Sequence, residues 1–221
     1  MNAGRSYSLS GTRSSDRWDW RPGSFDRLNL RHIFPSENEW GIPSLARTYT
    51  IPSSLAAWHD ITGIKKNPAS FVHFFLDDYH FESVWNKPER SIEKISLAAG
   101  ALSPDFSVLT GMPRATQLYQ VYRSCWMGCL WQGAGIDVIP TAQWAEPETF
   151  SFCFAGLPEH GPVAVSAVGV RPNEVAEFDR GLRELVTRCQ PSHLIVYGKL
   201  PGYVPSVDVI YYPTHWQKRG E

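Results

Sequence analysis

The sequence lacks the short motifs that mark many nucleotide-binding and hydrolase sites. It contains no Walker phosphate loop, no Gly-x-Gly-x-x-Gly run after a strand, no His-Glu-x-x-His pair and no Gly-x-Ser-x-Gly turn. These absences leave no basis for a P-loop nucleotidase, a dinucleotide-dependent dehydrogenase, a zinc protease of that type or an α/β-hydrolase. The functional argument therefore depends on the polar residues that follow the predicted strands.

Long apolar runs and paired cysteines are also missing. No apolar run approaches the length of a membrane span, and no secretory signal is present. The four cysteines, at positions 125, 129, 153 and 189, form no Cys-x-x-Cys pair. We predict a cytoplasmic protein with buried free thiols, no disulfide, no metal and no cofactor; ligation of a metal or an iron–sulfur cluster by all four cysteines is the alternative.

The chain as a whole carries little excess charge. Its formal net charge is −1, so it is not a basic nucleic-acid coat, and any site for a polyanion must be a local patch. Residues 1–31 are rich in Arg, Ser and Gly without periodicity, which predicts a flexible basic N-terminal arm. This arm could contact nucleic acid, pack on the back of the domain or remain solvated. Residues 32–221 are predicted to form a single α/β domain.

Apolar runs of strand length alternate with helical stripes along this domain. The predicted strands are 70–76, 96–102, 137–140, 162–168 and 193–197, with a last strand near 207–212, and the predicted helices are 114–132 and 173–189. Because the strands are apolar throughout, both faces of the sheet are expected to be covered. The pattern predicts a three-layer α/β/α sandwich with a mostly parallel central sheet, and too few units for a full eight-stranded barrel.

Asp105 is the strongest candidate for a catalytic residue. It follows the strand 96–102 directly, on a turn stiffened by Pro104. Ligands of open α/β sheets bind beyond the carboxyl ends of the strands, so a carboxylate at this point is placed for chemistry. Asp77 or Asp78, after the preceding strand, would assist it. The alternative interpretation is an aspartate that serves only a turn or a helix cap.

Other polar and aromatic residues are predicted at the same edge, because parallel strands bring their carboxyl ends together. Asp77, Asp105, Trp144 and Tyr197 are expected to line one cleft. The predicted substrate-binding residues are Tyr79, Thr141, Gln143, Trp144 and Tyr197. The predicted phosphate contacts are Arg114, Arg123, Arg171 and Lys199.

Several separated strings resemble a bacterial and phage family known as domain of unknown function 4417. They are SPDFS through GMP, the YR of the long helix, WQGAG, VIPTAQW, FCFAGLP and IVYG, and the resemblance covers roughly residues 40–212. The phage and mobile-element setting of this family implies work on nucleic acid or in the conflict between phage and host. In layout the chain is also similar to uracil-DNA-glycosylase-type enzymes, although their water-activating motif and terminal His-Pro-Ser motif are absent.

These observations predict a hydrolase: a DNA glycosylase or related base-processing enzyme that acts on DNA, including modified phage DNA. Asp105 would position water or stabilise the positive charge that develops on the sugar. One alternative is a metal-dependent nuclease in which Asp77, Asp78 and Asp105 share Mg²⁺. Another is a phage or plasmid factor that binds nucleic acid without catalysis.

Overall fold

Parallel β-strands form the centre of the fold. A computed structural model describes residues 12–13 and 28–218 of the chain. The strands are β1 (Thr12–Arg13), β2 (His32–Ile33), β3 (Leu55–Ala57), β4 (Phe71–His73), β5 (Gly100–Leu102), β6 (Asp137–Ile139), β7 (Val163–Ser166), β8 (His193–Tyr197) and β9 (Asp208–Tyr212). Strands β1 and β2 form a separate antiparallel pair.

The other strands pair in the order in which they occur in the chain. Strands β3 to β6 form a four-stranded parallel sheet, and β7 to β9 form a three-stranded parallel sheet. The two sheets meet just after β6, where the amide of Ala164 donates to the carbonyl of Pro140 and the amide of Ala142 donates to Ala164, each at 2.8 Å. The predicted α/β class with a mostly parallel sheet is confirmed.

Helices connect the strands. They are α1 (Ile61–Lys66), α2 (Ser83–Asn86), α3 (Pro88–Ile95), α4 (Arg114–Gly133), α5 (Phe150–Cys153), α6 (Val175–Cys189) and α7 (His215–Lys218). Helix α4 starts directly after Pro113, whose fixed φ suits a helix entry, and it ends before Gly135, which has a φ of +79°. The predicted helices 114–132 and 173–189 are therefore present with small shifts at their ends.

Two apolar clusters hold the sheet. The larger cluster joins one face of the strands to the buried residues of the helices, including Trp126 and Trp131 of α4 and Leu185 of α6. The smaller cluster contains only residues of strands and loops, and it reaches from Leu55 on β3 to Tyr212 on β9. The alternation of side chains along each strand separates the two clusters: Val72 belongs to the larger and Phe71 to the smaller.

The sheet is strongly curved. Neighbouring strands lie about 4.8 Å apart, so a flat array would separate β3 from β9 by roughly 29 Å. Instead, the hydroxyl of Tyr212 on β9 donates a hydrogen bond to the carbonyl of Pro52, three residues before β3. Within the described residues β9 does not pair with β3, so the curved sheet is not a closed barrel.

Most of the predicted strands extend beyond the observed ones, and the largest difference is at 96–102. The predicted strand 96–102 begins only at Gly100, because α3 continues to Ile95 and a further helical turn follows it. The helical turn continues past Ile95 because the amide and hydroxyl of Ser96 both donate to the carbonyl of Ile92, at 2.9 and 2.8 Å. Strand β3 was not predicted, because its apolar segment is short and contains two alanines, which are depleted in strands.

Three expectations concern the chain outside the sheet. The predicted basic arm lies outside the described residues except for Thr12–Arg13 of β1 and residues 28–31. All four cysteines are free and buried. In the described part of the chain, no helix combines the length and the apolar character that a membrane crossing requires.

Candidate functional site

A cavity of about 710 Å³ opens at the carboxyl edge of the sheet. Its walls come from the loops that follow β5, β6 and β7 and from the first turns of α6. The polar and aromatic residues that line it are Asp105, Ser107, Thr110, Gln143, Trp144, Ser166, Asn173, Glu174, Glu177 and Phe178. This is the position at which parallel α/β folds place their ligands, because the connections from several strands converge there.

Asp105 reaches the cavity through a turn that is tied to the neighbouring strand. Ser103, the residue after β5, accepts a hydrogen bond from the amide of Thr141 at 2.8 Å, and the Thr141 hydroxyl donates to the Ser103 carbonyl at 2.7 Å. Pro104 then fixes the backbone that delivers Asp105. Burial, together with the smaller effect of the nearby Asp78 carboxylate, raises the pKa of Asp105 to about 7. Near neutral pH, this carboxyl group can therefore either give or take a proton.

Asp78 is held as a hydrogen-bond acceptor. The hydroxyl of Ser107 donates to its Oδ1 at 2.8 Å, and the amide of the same residue donates to its carboxylate oxygens at 3.1 and 3.2 Å. The side-chain amide of Gln120, on α4, donates to Oδ2 at 3.2 Å. These donors fix the carboxylate beside Asp105.

A chain of polar contacts continues from Gln120 into the protein. Its Oε1 accepts from the Nε of Arg123 at 3.0 Å, and the Nη1 of Arg123 donates to Glu82 at 2.6 Å. The Arg123 guanidinium also lies 3.8 Å from the ring centre of Phe106. Because Arg123 is buried and paired in this way, it is not placed to meet a phosphate, and our prediction of that role is corrected. We call Asp78, Gln120, Arg123 and Glu82 the polar chain.

Gln143 and Trp144 form the opposite wall of the cavity. Trp144 packs on Phe178 of α6 with ring centres 5.1 Å apart, and its indole lies against Gly181. A Cβ atom at Gly181 would come within 2.0 Å of the indole Nε1, so this close approach needs glycine. The Nε2 of Gln143 is buried and makes no hydrogen bond to the described residues. An unsatisfied donor in a polar cavity is suited to an acceptor on a ligand.

Glu174 and Glu177 were missed by the sequence reasoning. They lie at the start of α6, which follows β7, and they line the same cavity. Glu174 also accepts from the backbone amide of Arg171 at 3.0 Å. The sequence could have indicated both residues, because the helix predicted from residue 173 begins at the same edge of the sheet as Asp105. Its first turn must therefore lie near the site.

Asp78 itself does not line the cavity, and neither do four other residues predicted at this edge. Asp77 and Tyr79 are exposed, and Tyr79 stacks on His80 with ring centres 4.0 Å apart. Thr141 is buried in the link to Ser103 described above. Tyr197 is buried against His73, and its hydroxyl accepts from the amide of His215 at 3.0 Å. The expected cleft is therefore brought together only in part, by Asp105 and Trp144.

The remaining predicted phosphate contacts are on the surface. Arg114 is exposed at the start of α4, and its guanidinium donates to Gln117 at 3.0 Å. Arg171 is exposed just before α6, and Lys199 is exposed after β8. None of these three side chains lines the cavity.

Metal ligands and reactive thiols are not grouped at the site. Within residues 28–218, no set of three or more His, Cys, Asp or Glu side chains is arranged to hold a metal ion. Burial raises the pKa of Cys129, Cys153 and Cys189 to about 12, and that of Cys125 well above its usual value. The thiols are therefore protonated at neutral pH and are not nucleophiles.

The sequence of this domain matches a known protein family. A family model described as "Domain of unknown function (DUF4417)" matches residues 34–213. The chain belongs to this family. Every residue named as a wall of the cavity lies within the matched range, so the cavity is part of the family's own domain.

Two relatives extend the comparison across almost the whole chain. The Gene 1 protein of Mycobacterium phage L5 is 47% identical over 220 residues, which is 96% of this chain and 95% of that protein. The Gene 1 protein of Mycobacterium phage D29 is 47% identical over 218 residues, which is 96% of this chain and 80% of that protein. No solved structure matches the chain.

Proposed function

We propose that the cavity is the active site of a hydrolase that cleaves the bond between a base and its sugar in DNA. The observation that carries the proposal is Asp105, a carboxyl group with a pKa of about 7 in the wall of a cavity at the carboxyl edge of the sheet. A general base works best when its pKa lies near the working pH. Ordinary aspartates are too acidic for this role.

Asp105 acts on water in this mechanism. Its carboxylate accepts a proton as the water oxygen forms a bond to the sugar carbon that holds the base. The bond from that carbon to the base nitrogen breaks, and its electron pair leaves with the base, which then takes up a proton. As this bond breaks, positive charge develops on the sugar, and the nearby carboxylates stabilise it. The negative charge of Asp78 raises the basicity of Asp105.

The opposite wall is suited to the base. Trp144 is only partly buried, so its indole can stack on a flat ring. The unpartnered Nε2 of Gln143 can donate to an acceptor on the edge of that ring. The exposed cations Arg114, Arg171 and Lys199 are the candidates for phosphate contacts. Both relatives are phage proteins, which supports DNA in a bacterial cytoplasm as the setting.

A metal-dependent nuclease is less favoured by the geometry. The oxygens of Asp78 already accept from Ser107 and Gln120, so a metal shared with Asp105 would have to displace these donors. Asp77, the third proposed ligand, is exposed and does not line the cavity. A binding factor without catalysis would not need a carboxyl group with a raised pKa in its cavity.

The test is an incubation with plain and modified duplexes and single strands, with and without EDTA, followed by alkali to reveal abasic sites. We expect abasic sites that form in the presence of EDTA. Asp105→Asn should reduce turnover by about a hundredfold or more, because the proton acceptor and its charge are lost. Asp208→Asn is the matched control, since this exposed aspartate lies at the opposite edge of the sheet.

Two results would contradict the proposal. One is unchanged turnover in Asp105→Asn. The other is strand cleavage that disappears on addition of EDTA, which would favour the nuclease instead.

A further inference from the structure

A second pocket lies beside the carboxyl ends of β8 and β9. Lys199, Tyr211, Trp216 and Gln217 are among the residues that line it. Trp216 is 74% exposed and Tyr211 is 46% exposed, whereas Trp126 and Trp131 are completely buried in the core. We call Tyr211, Trp216 and Lys199 the aromatic platform.

The platform combines flat apolar rings with a free cation. Large aromatic side chains left in water at a pocket are typical of a surface that binds a ligand. Lys199 is exposed and forms no ion pair with the described residues. Among residues 28–218, no carboxylate lines this pocket, so a negatively charged ligand would meet no like charge from them there.

The platform adjoins the cavity that contains Asp105. Gly198 lines the platform pocket, and Val168 lines the cavity. A Cβ atom at Gly198 would lie 3.4 Å from the Cγ2 of Val168, so the linings of the two pockets approach each other at these two residues. A ligand that extends beyond the cavity at this point reaches the platform directly.

The two pockets differ in charge. In the part of the chain that the structure describes, the cavity is lined by Asp105, Glu174 and Glu177 and by no Lys or Arg, so this lining disfavours a phosphate and accepts an uncharged group. The platform offers a lysine and stacking surfaces. A nucleic-acid strand has this same division, since each nucleotide carries an uncharged base and an anionic phosphate.

We propose that the aromatic platform binds the unpaired nucleotides next to the base that enters the cavity. A neighbouring base stacks on Trp216 or Tyr211, and Lys199 contacts a phosphate. A base that stacks on a protein ring has left its stacked and paired position in a duplex, so the substrate is a single-stranded stretch of nucleic acid rather than a free nucleoside. The inference rests on the proposed function for the identity of the group in the cavity.

The test measures binding of a labelled thymidine oligonucleotide by fluorescence anisotropy. Trp216→Ala should weaken binding between about fivefold and a hundredfold, the loss expected when one stacked base is released. Lys199→Ala should weaken binding and lower the salt-dependence slope by about 0.7, as for one lost phosphate contact on a single strand. Tyr49→Ala and Lys66→Ala are matched controls, because both residues are exposed and precede strands at the amino edge.

Several outcomes would overturn the platform proposal. They are an oligonucleotide that does not bind the wild-type protein, platform variants that bind like the controls, and a change of oligomeric state in Trp216→Ala with unchanged binding. The last would assign the surface to contacts between copies of the chain.

Asp105→Asn separates this proposal from the proposed function. Loss of binding in Trp216→Ala with unchanged turnover in Asp105→Asn would defeat the hydrolase and leave the platform standing. The reverse pattern would defeat the platform alone.

Discussion

Asp78 and Asp105 follow neighbouring strands, and the charge of Asp78 raises the pKa of Asp105, but their surroundings differ. Asp78 accepts hydrogen bonds from Ser107 and Gln120 and belongs to a chain of contacts that ends at Glu82. Asp105 faces a cavity, and burial is the main reason for its raised pKa. Asp78 is satisfied by hydrogen bonds within the protein, whereas Asp105 faces the cavity in which we propose that the substrate binds. This difference separates the group that maintains the structure from the group that can perform chemistry.

The largest effect is expected from breaking the polar chain. Arg123→Met should lower the free energy of unfolding by about 3 kcal/mol, because Gln120 loses its donor and Glu82 loses its ion pair. The corresponding fall in Tm is roughly 6–12 °C for a chain of this size. Urea denaturation measures it, with the exposed Arg114→Met as the control. A loss below about 0.5 kcal/mol, as for ordinary surface substitutions, would show that the polar chain does not stabilise the fold.

A substitution at Asp105 should have the opposite effect on stability, because the folded protein is less stable when the buried carboxyl group of Asp105 is ionised. Its pKa is about 7 in the folded protein and lower when unfolded, so the stability it contributes is present at low pH and is lost as pH rises to about 7. Asp105→Asn should therefore be more stable than wild type above pH 7, on the order of 2 kcal/mol, and not near pH 4. Denaturation at several pH values tests this. Asp208→Asn should show no such trend, and a parallel trend in both variants would refute the prediction.

A smaller effect is expected at the wall that holds Trp144. Gly181→Ala places a methyl group against the indole, which costs about 1–3 kcal/mol, while the gain in helix propensity returns about 1 kcal/mol. We expect a net loss of stability of about 1 kcal/mol and reduced turnover. In a Trp144→Leu background the same alanine should become stabilising. If it stays destabilising there, the indole is not what requires glycine.

The smallest effect is expected from removing the charge of Asp78. Asp78→Asn removes the like charge beside Asp105, so the pKa of Asp105 should fall from about 7. Burial, the larger cause, remains, so the pKa should stay above its ordinary value. The midpoint of the pH–rate profile, or NMR titration of Asp105, measures the change. Asp77→Asn is the control, and an unchanged or higher midpoint in Asp78→Asn would contradict the assignment.

The strands that carry the site could be predicted because they are apolar throughout. Buried parallel strands show continuous apolar runs, and those before Asp105 and Gln143 ended at prolines that the sequence displays. Because parallel strands end at the same edge of a sheet, the sequence also predicts that Asp105, Gln143 and Trp144 lie at one edge. Strand β3 was missed because its short apolar segment contains two alanines, which are depleted in strands.

The polar chain could not be predicted from the sequence. Arg123 and Glu82 are 41 residues apart in the sequence. An arginine with aromatic neighbours can lie on either the solvent-exposed or the buried face of a helix. Packing of α4 against the sheet decides between them. The pKa of Asp105 was equally hidden, because it depends on how far the loops after β5 and β6 enclose the carboxyl group.

The hydrogen bond from Tyr212 to Pro52 has a consequence for how the protein is made. The two residues are 160 positions apart, so the edges of the curved sheet meet only after the last strand has left the ribosome. Strands β3 to β6 can pair earlier, since each joins its neighbour through a shorter connection. During synthesis the smaller apolar cluster, which includes Leu55 and Phe71, therefore stays incomplete until Tyr212 has been translated.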